Sequence, residues 1–164
     1  MIFVTVGHQM AFDRLIKLVD RWAGQAPRGE IFAQIGNGTY HPRNMAFSQF
    51  LSRTEFQERI EASTCVIAHA GIGTIIQVIL ARKPLLVLPR LHRYEETRSD
   101  HQIGTARQFA SSGLIMARFD EAEFVTLLDE LPTFRPAAGV GHTASPQLLA
   151  RIRDFITEAK RGTA

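Results

Sequence analysis

The run Ala68-His69-Ala70-Gly71-Ile72-Gly73-Thr74 connects an apolar stretch to a helical pattern. Two glycines let the backbone come close to a ligand. The helix that follows opens with unpaired N–H groups at the positive end of its dipole. This combination suits a phosphate or diphosphate. It also suits a tight strand-to-helix turn in which glycine serves geometry alone. The dinucleotide fingerprint fits in part: Gly71-x-Gly73 is present, and Ile76 occupies the third glycine position. The next apolar stretch ends in Pro89-Arg90, without an acidic residue for a ribose 2′-hydroxyl. Arg90 could instead meet a 2′-phosphate, which keeps an NADP-dependent oxidoreductase as a rival reading, although no recognisable catalytic Tyr-Lys pair accompanies it.

The segment RLHRYEETRSDHQ, residues 90–102, concentrates Arg90, Arg93 and Arg98 with His92 and His101. Placed after a strand end, it could bind a polar, anionic sugar. Its composition favours a solvated loop in which Glu95 and Glu96 neutralise the arginines. A third stretch, Thr5-Val6-Gly7-His8-Gln9, turns off the first apolar run at Gly7 and would set Thr5, His8 and Gln9 on the top edge of a sheet. A lone histidine in such a place is more often a surface or capping group than a base, and the same holds for His41, His92 and His142. Cys65 lies within an apolar run and reads as an inert, packed thiol.

What would position these stretches is an alternation of short apolar runs with amphipathic segments. Strands are expected at residues 2–6, 31–35, 46–51, 64–68, 85–88 and 114–117. Phe12, Leu15, Ile16, Leu18 and Val19 recur at helical spacing until Pro27 and Gly29 break the pattern. Further helices are expected at 54–62 with Thr54 as cap, 74–82, 100–112 with Gly113 at its end, 122–131, and 145–160 after a Pro/Gly-rich connection at 132–141. Alternating strands and helices, with several strands continuously apolar, predict an α/β fold: a Rossmann-like parallel sheet with helices on both faces. Ligands bind such sheets beyond the carboxyl ends of the strands, at the topological switch point.

The chain has 164 residues, 45% of them hydrophobic, enough for one domain whose core needs no disulfide or metal staple. A single cysteine excludes a disulfide framework and, with histidines scattered, leaves no metal site expected. The longest apolar-rich stretch, residues 68–81, contains Gly, Thr and Gln and is too short to span a bilayer. The opening MIFVTVG lacks a basic n-region and a cleavage site, so a cytoplasmic location is expected. Nineteen Lys and Arg against sixteen Asp and Glu give a net charge of +3. That mild bias is compatible with an acidic ligand or an anionic membrane surface and demands neither. No nucleic-acid partner is expected.

In chain order, the segments FVTVGHQMAFDRLI, VIAHAGIGTIIQVILARKPLLVLPR and RYEETRSDHQIGTARQFASSGLI resemble the C-terminal half of family 28 glycosyltransferases of the GT-B fold. Within that family they resemble the PssE-like subunits of bacterial exopolysaccharide synthesis and the small subunit of the dolichol-linked UDP-GlcNAc transferase. The similarity runs from about residue 2 to 131. It implies a UDP-sugar donor, no cofactor and no metal. It places Gly7 and His8 in the loop facing the diphosphate and the interdomain cleft. It sets His69, Gly71, Gly73 and Thr74 at the diphosphate, Gln77 at the ribose, Asp100, His101 and Gln102 at the donor sugar, and Phe50 and Leu51 near uracil. Arg90 joins the donor-binding set from its place at the strand end. Relatives usually carry Glu or Asp where this chain has Gln77; an amide offers one acceptor oxygen and two donors in place of a bidentate carboxylate.

The resemblance further implies direct displacement with inversion at the anomeric carbon. The general base is expected in the acceptor-binding half, with His8 the local candidate. That half would be a separate, membrane-anchored, PssD-like subunit, which keeps this chain at the inner face of the membrane. A non-catalytic nucleotide-sugar-binding module is a second rival reading. Residues 1–144 then form the nucleotide-sugar-binding domain. Residues 145–164 form an amphipathic helix whose stripe of Leu148, Leu149, Ile152, Phe155 and Ile156 could dock on the partner, drive self-association when alone, or pack on its own sheet.

Overall fold

The structure, a computed structural model, describes residues 1–137 and 146–161. Six strands form one parallel sheet: β1 (Ile2–Thr5), β2 (Ile31–Gln34), β3 (Ala46–Ser48), β4 (Cys65–His69), β5 (Leu85–Leu88) and β6 (Met116–Ala117). Their spatial order is β3-β2-β1-β4-β5-β6. The chain therefore winds outward in one direction from β1 to β3, then returns to β1's other side at β4. This is the doubly wound arrangement expected from the alternation, and its switch point falls between β1 and β4.

Both faces of the sheet are buried, which is why the strands read as nearly continuous apolar runs. On one face Val4, Ile67 and Leu86 pack against α1 (Asp13–Ala23) through Leu15, Ile16 and Val19, and against α5 (Glu121–Leu128) through Phe124. On the other, Phe3, Val66 and Val87 meet α2 (Arg53–Ala62), α3 (Ile72–Leu80) and α4 (His101–Ser111) through Ile60, Ile75 and Ala106. Cys65 is fully buried, and burial pushes its thiol pKa up.

Three helix starts differ from the sequence expectation, two of them for a capping reason. Helix α2 begins at Arg53, not after a Thr54 cap: Ser52 accepts the Glu55 N–H, and the Glu55 carboxylate takes the Ser52 N–H in return. Helix α3 begins at Ile72 rather than Thr74, so Gly73 and Thr74 lie inside its first turn. Helix α5 begins at Glu121 because Asp120 accepts from the N–H groups of Ala122 and Glu123, and it ends at Leu128 ahead of a 3₁₀ turn, Leu131–Thr133. Strand β3 is shorter than residues 46–51 as strand, yet its pairing continues: the Ile35 and Gly36 N–H groups donate to the carbonyls of Ser48 and Gln49.

A last helix, α6 (Pro146–Arg161), follows. Ser145 and the later part of the 132–141 connection lie outside the described residues. Leu148, Leu149, Ile152, Phe155 and Ile156 are all exposed. Among the described residues no helix is long and apolar enough to cross a membrane.

Candidate functional site at the sheet switch point

A pocket of about 700 Å³ opens above the carboxyl ends of β1, β2 and β4. Gly7, His8 and Gln9 wall one side; His69, Gly71, Ile72, Gly73, Thr74 and Gln77 wall another; Leu51, Ser52, Arg53 and Phe56 form the end nearest α2; His101 and Gln102 close the rim. The loops that supply these residues leave the strands on either side of the switch point.

Of the three helices that begin at this pocket, α2, α3 and α4, the first two are finished differently. The first turn of α2 is satisfied by its own capping box. Helix α3 has Gly71 at its cap position, no capping side chain and no acidic residue in its first turn. Ile75 N–H already bonds to the Gly71 carbonyl, at 3.0 Å. The N–H groups of Ile72, Gly73 and Thr74 are those that helix geometry leaves without an internal partner, and they sit at the positive end of the helix dipole. They are a ready anion receptor.

The glycines around that turn have distinct reasons. Gly7 has φ +73°, and a Cβ there would lie 2.6 Å from His69 Cε1. A Cβ at Gly71 would collide with His69 Nε2. Both glycines therefore make room for one imidazole. Gly73 is the opposite case: a Cβ would meet nothing within 4 Å, and glycine inside a helix costs up to about 1 kcal/mol relative to alanine. The fold does not need Gly73, so the open space above it is available to a ligand that approaches the backbone.

His69 ends β4, and its Nδ1 is buried without a hydrogen-bond partner. Burial, reinforced by the neighbouring Arg90 charge, brings its pKa down to about 4. The ring is thus neutral at pH 7, and the positive potential at the first turn of α3 comes from backbone dipoles, with the Arg53 side chain elsewhere on the pocket lining.

Two of the sequence-derived candidates lie elsewhere. Arg90 does not line this pocket: it is 4% exposed, and its guanidinium is spent on the carbonyls of Val6 (2.6 Å), Met10 (2.6 Å), Ala11 (2.5 Å) and Glu96 (3.2 Å). The first three carbonyls belong to the loop carrying His8 and Gln9 and the fourth to Arg90's own loop, so Arg90 binds loop to loop. Burial lowers its pKa to about 10, which leaves it charged at pH 7. The Glu96 carboxylate forks onto Arg14 of α1 at 2.8 Å and accepts the Leu91 N–H, and within its own loop its charge favours the charged form of Arg90. Asp100 is exposed and also lies off the pocket, its Oδ1 accepting the His92 N–H at 2.8 Å. Arg93 and Arg98 are exposed. Phe50 packs on the His8 ring, with centroids 5.4 Å apart, while its neighbour Leu51 reaches the pocket.

Gln34, Ser52, Arg53 and Phe56 line the pocket without having been singled out in the sequence. The visible signal was Gln34, one polar residue inside the apolar run IFAQI. Among the described residues no group of three or more His, Cys, Asp or Glu could hold a metal ion.

Comparison with known proteins adds to this geometry. Residues 1–135 match the family described as Glycosyltransferase family 28 C-terminal domain. Over 122 residues the chain is 29% identical to the human protein named UDP-N-acetylglucosamine transferase subunit ALG13. The match covers 68% of this chain and 10% of that protein, so the chain spans about a tenth of the length of the curated relative. Among solved structures, MurG of Acinetobacter baumannii superimposes with a TM-score of 0.59 at 17% identity, covering 81% of this chain and 42% of MurG. The solution structure of ALG13 superimposes with a TM-score of 0.58 at 19% identity, covering 82% of this chain and 87% of that one. At these identities the structural likeness speaks for the fold.

Two predictions follow from the ring and its glycines. Gly71→Ala should destabilise the protein by about 1–3 kcal/mol through overpacking, whereas Gly73→Ala should leave stability unchanged or raise it by up to about 1 kcal/mol; denaturant titration separates them. The folded pKa of His69, about 4, lies below its ordinary 6.5, so between these pH values the unfolded chain binds a proton that the folded chain does not. This contribution is complete above pH 6.5 and is lost as pH falls toward 4, up to about 3 kcal/mol. His69→Asn should flatten the stability profile over that window.

Proposed function

Because the chain belongs to the glycosyltransferase family 28 C-terminal domains, we propose that it binds the UDP-sugar donor for a two-component inverting glycosyltransferase. The acceptor-binding component is a separate membrane-anchored, PssD-like subunit, and the product is an extended polyprenyl-linked saccharide of exopolysaccharide or capsule synthesis. The observation that carries this reading is the uncapped first turn of α3 opening onto a 700 Å³ pocket at the switch point. Diphosphate oxygens fit there against backbone N–H groups, with Gly73 offering no side chain to hold them off.

The chemistry then proceeds by displacement. An acceptor hydroxyl oxygen attacks the anomeric carbon, the bond from that carbon to the diphosphate oxygen breaks, and the electron pair leaves with UDP. The N–H groups and dipole of α3 stabilise the charge that develops on the leaving group. The acceptor's proton passes to a His, Asp or Glu with a pKa near the working pH. That base belongs to the acceptor-binding subunit, with His8, exposed on the rim of the pocket, the candidate on this side. Leu51 lies toward the uracil end, Gln77 on the wall that faces the ribose, and His101 and Gln102 beside the sugar. Gln102 is held in place by accepting the Arg90 N–H at 3.1 Å. A preference for acidic sugars rests on Arg93 and Arg98 alone, since Arg90 is committed to carbonyls.

Helix α6 supplies the surface for the partner. The five large apolar residues of its stripe are exposed, and contiguous apolar patches mark interaction sites on soluble proteins. Docking there holds the chain at the inner face of the membrane.

Calorimetric titration against UDP, UDP-glucose, UDP-GlcNAc, UDP-glucuronate and NADPH tests the donor reading. Binding of UDP and of at least one UDP-sugar is expected. Gly73→Val should fold normally and lose affinity for UDP by at least about tenfold, equivalent to roughly 1.4 kcal/mol. Binding of NADPH with no response to UDP would overturn the proposal. Deleting residues 145–164 should leave UDP binding intact and abolish capture by the acceptor subunit; a truncated chain that fails to fold would place α6 in the core instead.

A further inference from the structure

The floor of the pocket holds a polar group that the fold does not use. Gln34 closes β2 and is fully buried. It pairs in register with Thr5 of β1, and its Oε1 accepts the Thr5 hydroxyl proton at 2.7 Å. Its Nε2 is buried without a hydrogen-bond partner, and the residue lines the pocket. Apart from its partner Thr5, the neighbouring inward positions on this face at the centre of the sheet are Phe3, Val66 and Ala68, all apolar. A glutamine kept there with half of its amide unpaired destabilises the free protein. Packing alone would be better served by methionine or leucine.

The direction of the amide is set by its neighbours. Thr5 Oγ1 accepts the Gly7 N–H at 3.2 Å. A hydroxyl that already accepts from a backbone amide still has its one proton to give. That proton selects the glutamine oxygen, which turns the NH₂ group away from Thr5. The relay runs from the Gly7 N–H to Thr5 Oγ1 and from the Thr5 proton to Gln34 Oε1, and leaves the Gln34 N–H bonds unpartnered in a residue that lines the pocket. Phosphates, ribose hydroxyls and uracil carbonyls all present the lone pairs such donors require.

We propose that Gln34 is a nucleotide-binding residue whose Nε2 donates to an acceptor oxygen of the uridine nucleotide, and that Thr5 is the positioning residue that holds the amide in its donor orientation. This rests on the reading of the pocket as a UDP-sugar site. It assigns to the end of β2 a contact that the Gly-rich turn cannot make, since that turn lies across β1 from it.

The test uses the full chain, isotopically labelled, with UDP as the probe. The side-chain amide protons of Gln34 should shift downfield and exchange more slowly as UDP is added, a measurement that needs no substitution. Gln34→Met should reduce UDP affinity on the order of tenfold while leaving the unfolding midpoint unchanged or raised, because the unpaired amide is gone. Gln34→Glu should lose more, since it turns a carboxylate toward an anionic ligand. Thr5→Val should weaken binding in the wild-type background and add nothing in the Gln34→Met background, and Thr5→Ser should restore wild-type affinity. A wild-type chain that binds UDP with the Gln34 amide resonances unmoved, or a Gln34→Met variant that binds as well as wild type, overturns the assignment. A wild-type chain that binds no uridine nucleotide overturns instead the donor-site reading on which it rests.

Discussion

One imidazole sets the geometry of the switch point. His69 stands at the end of β4 with Gly7 on one side and Gly71 on the other, and neither position tolerates a Cβ. The ring spaces the β1 and β4 loops, whose divergence forms the pocket. A charged ring would be costly there, and burial together with Arg90 keeps it neutral. With the ring filling the gap below, the first turn of α3 is left clear above. Its N–H groups face the pocket wall, and they supply positive potential without a titrating group.

Arg90, just after β5 on the far side of β4 from β1, performs the complementary task. Three hydrogen bonds to carbonyls draw residues 6–11 onto the loop after β5, a fourth closes on the Glu96 carbonyl, and the Glu96 side chain extends the same network to Arg14 of α1. Buried charge is tolerated here because every contact is a charge-assisted hydrogen bond or an ion pair. The loop bearing His8 is thereby stapled at its base while His8 itself stays exposed at the rim.

The two uses of glycine and the two uses of helix N-termini show how similar sequence features diverge in role. Gly71 and Gly73 lie two residues apart, yet one accommodates His69 and the other faces open space. Helices α2 and α3 both aim their N-termini at the pocket, yet Ser52 and Glu55 close the first and nothing closes the second. The difference between structure and ligand chemistry lies in what each group meets across the fold, and that is a tertiary fact.

The sequence by itself determined the α/β alternation, the parallel sheet and the site's position above the strand ends, because strand and helix periodicity and buried apolar runs are local properties. It also brought out the Gly-rich turn and His101-Gln102, whose placement follows from being adjacent in sequence to a strand end or helix start. Tertiary structure decided the rest. Arg90 looked like a ligand contact because arginines near strand ends often are; only the fold brings the Val6, Met10 and Ala11 carbonyls, some 80 positions away in the chain, onto its guanidinium. Gln34 was passed over inside its strand, because its partner Thr5 and its unpaired amide nitrogen are defined by the β1–β2 register and not by any neighbour in sequence. Hydrogen-bond commitment is a long-range property: a side chain's type says what it can bond, and the packed sheet says which of those bonds are already taken.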